Sequence, residues 1–164
     1  MQSLVLKSAV DSLREFIGRI ESCAERLTDD QIWWRGGENQ NAIGNLTLHL
    51  AGNVRQWIIC GLGGAEDKRV RHLEFDARLG QSGAFVVAKL RETVEEAVMV
   101  VAGLTTGQLI TIHDIQGYKV SGVHALLHVV EHFAQHTGQI ILLTKALTGQ
   151  DLGFYWHLNP KPAE

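Results

Sequence analysis

Apolar positions recur along this chain with the period of a helix. Leu6, Val10, Leu13, Ile17, Ile20, Ala24 and Leu27 alternate four and three residues apart, the spacing of one core-facing helix side. The seam stops at Thr28-Asp29-Asp30-Gln31, where threonine followed three residues later by glutamine is a capping-box pattern that predicts a short second turn. Ile32, Trp33 and Trp34 read as a hydrophobic lid over one end of a bundle, with packing favoured over ligand stacking for the tryptophans. Beyond the loop Gly36 to Gln40, Asn41 is expected to cap a second long helix, Ala42 to Cys60, which buries Ile43, Leu46, Leu50, Val54, Trp57 and Ile58 and ends at Gly61, Gly63 and Gly64. Ser82 caps a third helix, with Phe85, Val86, Leu90, Val94, Ala97, Val98, Val101 and Leu104 on its apolar face and Gly103 and Gly107 marking its end. Ser121 caps the fourth, which runs to about Leu147 with Gly149 at its stop and so extends about 40 Å.

The connections carry topology. Glu66 to Gly83 is charged and irregular, and too long for a tight helical hairpin, where roughly two to eight residues are usual. A crossover running the length of the bundle needs about this much chain, so the second and third helices are expected to lie parallel; a solvated loop without topological role is the plainer alternative. Leu109 to Val120, around Gln116-Gly117, suits a small hairpin, marginal if isolated. In the tail, Phe154, Tyr155, Trp156 and His157 are expected to pack on the bundle, and the segment with Pro160 and Pro162 to fray. The predicted fold is all-α: one domain, residues 1–164, a four-helix bundle with a long crossover between helices two and three.

Composition narrows the class. With 45% hydrophobic and 20% charged residues the chain is ordinarily globular, and disorder is excluded. A formal charge of −3 without a basic stripe argues against nucleic acid as a partner. Cys23 and Cys60 lie far apart in helical patterns, which predicts reduced thiols and a cytoplasmic protein. The N-terminus is not expected to be a secretory signal, and no window approaches the roughly 18 apolar residues of a membrane span, so no membrane partner is expected.

Chemistry enters with the histidines. Of eight in the chain, His124, His128, His132 and His136 stand four apart on the fourth helix. Each step of four turns about 40° around the axis, so only a neighbouring pair can share one ion comfortably. His132 and His136 are the favoured pair: they straddle mid-helix, as His49 sits near the middle of the second helix, and Val129, Phe133 and Ile140 place that region against the core. Asn45 and Asn53 stand one turn before and after His49, a polar stripe whose desolvation demands partners that a metal or a hydrated cavity provides. Hydrogen-bonded core histidines are the alternative. The HExxH pattern, a Glu-x-x-His pair and a CxxC pair are all absent. Three imidazoles without carboxylate or thiolate leave a coordination position for water or substrate, and nitrogen ligands suit zinc or nickel.

At Asn45-Leu-Thr-Leu-His49-Leu-Ala-Gly-Asn53 and His132-Phe-Ala-Gln-His136-Thr-Gly-Gln139 the chain resembles the DinB-like superfamily of bacterial four-helix-bundle proteins, with a weaker match at Leu27 to Trp33. The resemblance implies a bundle with a crossover between helices two and three, a homodimer, and a divalent metal held by His49, His132 and His136. Characterised relatives include bacillithiol- and mycothiol-dependent S-transferases and a mycothiol-dependent isomerase.

Three functional readings follow. The first is a metal-dependent S-transferase in which a low-molecular-weight thiol cosubstrate is held as thiolate and attacks a small electrophile, with Asn45, Asn53 and Gln139 as candidate orienting groups that may equally serve packing alone. No residue stands out as general base. The second makes water the nucleophile, in a hydrolase of a small amide or ester. The third is a non-catalytic, stress-related metal-binding dimer.

Overall fold

The computed structural model describes residues 2–78 and 80–158; the two tail prolines lie outside them. Four long helices form the framework. They are α1 (Gln2–Ala24), α3 (Ile43–Val54, continued by a π-helical turn, Arg55–Cys60), α5 (Gly83–Ala102) and α7 (Gly122–Thr148). Short helices α2 (Asp29–Ile32), α4 (Arg71–Asp76) and α6 (Thr106–Ile110) and a two-stranded hairpin, β1 (Ile112–Ile115) and β2 (Tyr118–Ser121), fill the connections. The fold is the expected all-α bundle, of DinB-like type.

Cross-helix contacts fix the directions. Arg14 pairs with Glu95, Arg91 with Glu21, and Gln2 Nε2 donates to the Leu104 carbonyl, so α1 and α5 are antiparallel. Phe16 stacks on Phe133, which sets α1 parallel to α7 and leaves α7 antiparallel to α3. Arg55 pairs with Glu96 and Gly63 meets Val100, while the start of α3 and the residues before α5 share Trp33, so α3 and α5 run parallel. The 61–82 segment is therefore the long crossover.

The core is built where the periodicity places it. Leu13, Ile17, Ile20, Leu50, Val54, Ile58, Leu90, Val94, Val101, Leu126, Val129, Phe133 and Ile140 are fully enclosed. Phe85 is the exception on the third seam: it lies in the first turn of α5 and is 55% exposed. The lid is also half of what was expected. Trp33 is buried against Gly44, where a Cβ would come within 2.9 Å of its ring, and donates Nε1–H to Gln81 O at 2.7 Å, whereas Trp34 is exposed.

Local end signals hold at Thr28, Ser82 and Ser121, each accepting from a backbone N–H three residues on, and at Gly149, which ends α7 in the left-handed region at φ 67°. Asn41 does not cap α3. Ala42 takes that position, and Asn45 reaches back from inside the helix to accept its N–H at 3.1 Å. Gly103 ends α5, but Gly107 falls within α6, whose own box, Thr105 with Gln108, begins a new turn. The hairpin gains the support an isolated one lacks. Ile115 packs against Gly61, and Gln116, at φ 57°, accepts the Trp57 indole N–H at 3.1 Å.

Candidate metal centre

The site lies between α3 and α7 at mid-height. His49 projects from α3, and His132 and His136 from successive turns of α7 that face it. Each ring offers one nitrogen such that all three atoms fall within 4.8 Å of one another. His49 Nε2 and His132 Nε2 are 3.1 Å apart. Two nitrogens bound to one tetrahedral ion at zinc–imidazole lengths stand about 3.3 Å apart, so this spacing is that of neighbouring ligands. His124, at the start of the row, is exposed and takes no part; His128 stacks on Trp57 at 3.9 Å between centroids, beside His132.

The other ring nitrogens decide which face of each imidazole is free. His49 Nδ1–H donates to Glu74 Oε2 at 2.8 Å. Arg69 directs Nε and Nη2 onto the same carboxylate at 2.7 and 2.8 Å, and both side chains are about nine-tenths buried. His136 Nδ1–H donates to Gln139 Oε1 at 2.6 Å. In both rings Nε2 is left with its lone pair toward the shared point, the arrangement by which hydrogen-bonded carboxylates and amides orient metal-ligating histidines. His132 differs: its buried Nδ1 has no partner.

Electrostatics keep the cluster neutral. Burial, then the neighbouring His136, His49, His128 and Arg69, pushes His132 down to about 3. Burial also lowers His136, against the opposing hydrogen bond to Gln139, and lowers His128 with help from His124. Burial works to raise Glu74, but the hydrogen bonds from Arg69 and His49 prevail and hold it below the usual carboxylate range. Neutral imidazoles with an ionised carboxylate behind them are the protonation states that a divalent cation requires.

Asn45, Asn53 and Gln139 take different positions. Gln139 touches His136. Asn53 is buried beside the cluster, its Nδ2 3.5 Å from His128 Nε2 and its Oδ1 unpartnered. Asn45 faces away from the histidines. Its Nδ2 donates to Glu74 O at 2.8 Å and Ala77 O at 2.9 Å, and its Oδ1 accepts from Arg35 Nη2 at 2.6 Å, so it clamps the end of α4 onto α3.

Sequence reasoning missed Arg69 and Glu74, which lie in the crossover treated as irregular. Gly52 was the available signal. It stands one turn after His49 inside a helix, where glycine is unfavourable. A Cβ there would overlap Glu74 Oε1 and lie 2.8 Å from Arg69 Nε. The larger of two cavities, about 750 Å³, sits elsewhere, between α1, α7 and the C-terminal aromatics, and no histidine lines it.

Comparisons with known proteins agree with this geometry. The family model described as mycothiol S-transferase matches residues 6–149. A conserved protein from Enterococcus faecalis superposes with a TM-score of 0.75 at 14% identity, over 88% of this chain and 97% of its own. A DinB-like protein from Bacillus cereus gives 0.69 at 18%, over 89% and 94%, and one from Bacillus subtilis gives 0.69 at 18%, over 90% and 97%. At these identities they establish the fold. A search of curated proteins gives no match. Among the described residues no helix is long and apolar enough to cross a membrane.

Proposed function

The chain belongs to the mycothiol S-transferase family, and on that premise we propose that it is a divalent-metal-dependent transferase that joins a low-molecular-weight thiol to a small electrophile. The observation that carries the proposal is the convergence of His49, His132 and His136, two of them already oriented by Glu74 and Gln139. Zinc or nickel suits this all-nitrogen set. A cation bound there favours the thiolate, the nucleophilic form, over the thiol.

The chain's own residues supply position and exclusion of water. Lone pairs on His49 Nε2 and His136 Nε2 are aimed by their Nδ1–H bonds. Phe75 packs on the His49 ring at 4.7 Å between centroids and Trp57 covers His128, so the cluster has aromatic walls on two sides. The thiol proton passes to solvent; the sulfur–carbon bond forms as the leaving group departs from the electrophile. No titratable side chain besides the histidines and Glu74 lies in the cluster, and Glu74 is committed to Arg69 and His49, so the residues present supply no dedicated base.

The test is conjugation of a panel of bacterial thiols to monochlorobimane, with and without a chelator. Fluorescent product with at least one thiol, lost on chelation and restored by zinc or nickel, is expected. No conjugation with any thiol by metal-loaded protein refutes the transferase reading. Turnover of chromogenic esters instead would point to water as nucleophile. We further propose a cytoplasmic homodimer, for which a molar mass near 36 kDa in light scattering, about twice the 18.1 kDa chain, is expected.

A further inference from the structure

Among the described residues three buried side-chain polar atoms lack a hydrogen-bond partner: Arg35 Nε, Asn53 Oδ1 and His132 Nδ1. Two of the three meet at the same place. Asn53 follows His49 by one turn on α3, and His128 precedes His132 by one turn on the antiparallel α7. The Asn53 amide therefore lies opposite His128, as His49 lies opposite His132. The His128 and His132 rings are 5.6 Å apart and nearly parallel, 29° between planes, so the amide at His128 also borders His132. A bare buried acceptor and a bare buried imidazole nitrogen each cost roughly 1–3 kcal/mol, and such atoms in native structures call for an explanation.

The tautomers supply one. His49 uses its Nδ1–H on Glu74, so its Nε2 can only accept, and the 3.1 Å contact requires His132 to carry its proton on Nε2. His132 Nδ1 is then a bare lone pair, with no use for the Asn53 oxygen. If His132 Nε2 is to ligate a cation, that nitrogen must give up its proton and Nδ1 must take one. The neutral ring changes tautomer, with no net gain or loss of protons, and Nδ1–H then needs an acceptor. His49 and His136 already have theirs. We propose that Asn53 is the positioning residue of His132: its Oδ1 accepts the Nδ1–H that His132 acquires when the site is filled, directly or through one buried water. The inference rests on the metal reading given above, and it assigns to each ligand its own acceptor: Glu74, Gln139 and Asn53.

The experiment measures zinc affinity by chelator competition for the native protein and for Asn53→Ala, Asn53→Asp and Asn53→Leu, together with long-range ¹H–¹⁵N spectra of the histidine side chains. Loss of an acceptor behind a ligating histidine weakens metal binding about 10–100-fold. Asn53→Ala and Asn53→Leu are expected to fall in that range, and Asn53→Asp, which keeps an acceptor at either carboxylate oxygen, to return within about threefold of native. In the native protein the His132 proton should appear on Nε2 without zinc and on Nδ1 with it. Unchanged affinity in Asn53→Ala and Asn53→Leu overturns the inference, as does failure of Asn53→Asp to restore binding while its fold and melting temperature are native. A native protein that binds no zinc or nickel would refute the metal reading itself. Normal binding with the expected dependence on Asn53 but no thiol conjugation would leave this inference standing and remove only the transferase.

Discussion

Replacing Gly52 by alanine separates two forces that act on one atom. In the middle of α3 the alanine is favoured by about 1 kcal/mol in helix propensity, because glycine loses more backbone freedom on folding. Against this, the new Cβ would overlap Glu74 Oε1 and stand 2.9 Å from its carboxyl carbon and 2.8 Å from Arg69 Nε. Neither side chain has free space to retreat into without loss. Arg69 and Glu74 are 6% and 11% exposed, and separating a buried pair costs about 3–5 kcal/mol when one charge is left alone. The pair is expected to shift as a unit away from α3, which takes Glu74 Oε2 off His49 Nδ1. Metal affinity should then fall 10–100-fold, or about 1.4–2.8 kcal/mol. The propensity gain should not appear as a higher melting temperature. Chelator-competition titration with zinc reads the first quantity, and thermal unfolding of the metal-free protein reads the second. If the ion pair were a loose surface feature, alanine would raise the melting temperature by about 2–4 °C and leave affinity unchanged; that pair of results refutes the reasoning.

Other consequences are as direct. His49→Ala, His132→Ala and His136→Ala should each abolish stoichiometric zinc in elemental analysis, while His124→Ala, at an exposed position, should keep it. The His132 pKa is about 3 folded against about 6.5 unfolded, so the unfolded chain takes up the proton first. The metal-free protein should therefore be flat in stability above pH 6.5 and lose about 1.4 kcal/mol per pH unit below it, with His136 and His128 adding in the same direction. Urea midpoints at pH 7, 6 and 5 check this, and His132→Gln should flatten the slope. Asn45→Ala leaves the Ala42 N–H and the carbonyls at the end of α4 without their partner, which should cost about 1–3 kcal/mol in urea unfolding and weaken zinc binding through the loosened crossover.

What could be read from the chain alone was whatever depends on near neighbours in sequence. The α1 seam, the capping boxes and the His132–His136 pair are all settled within one or two helical turns, and the histidine pair faces inward because Phe133 and Ile140 share its depth in the core. Parallel packing of α3 and α5 was legible for a different reason: a connection of that length leaves few other routes. Glu74 was illegible because its meaning depends on where a crossover lands, and 25 residues separate it from His49. Asn45 and Asn53 show the same limit from the other side. Periodicity correctly marks both as buried polar positions in need of partners, but it cannot tell that Asn45 finds its own in the carbonyls of α4. Phe85 went astray because the seam continues geometrically into a first turn that projects past the neighbouring helices.

The π-helical turn at Arg55–Cys60 changes the phase of the second long helix. Its hydrogen bonds, such as Gly61 N–H to Gln56 O, span five residues rather than four, so the turn holds about one residue more than an α-helix would. Upstream of it the helix is indexed to the histidines; downstream, Gly61 is indexed to Ile115 of the hairpin. Removing a single residue there would return the segment to ordinary pitch and rotate everything after it by about 100° relative to His49. The bundle can thus tolerate change at either end of this helix independently only while that surplus residue remains to absorb the mismatch.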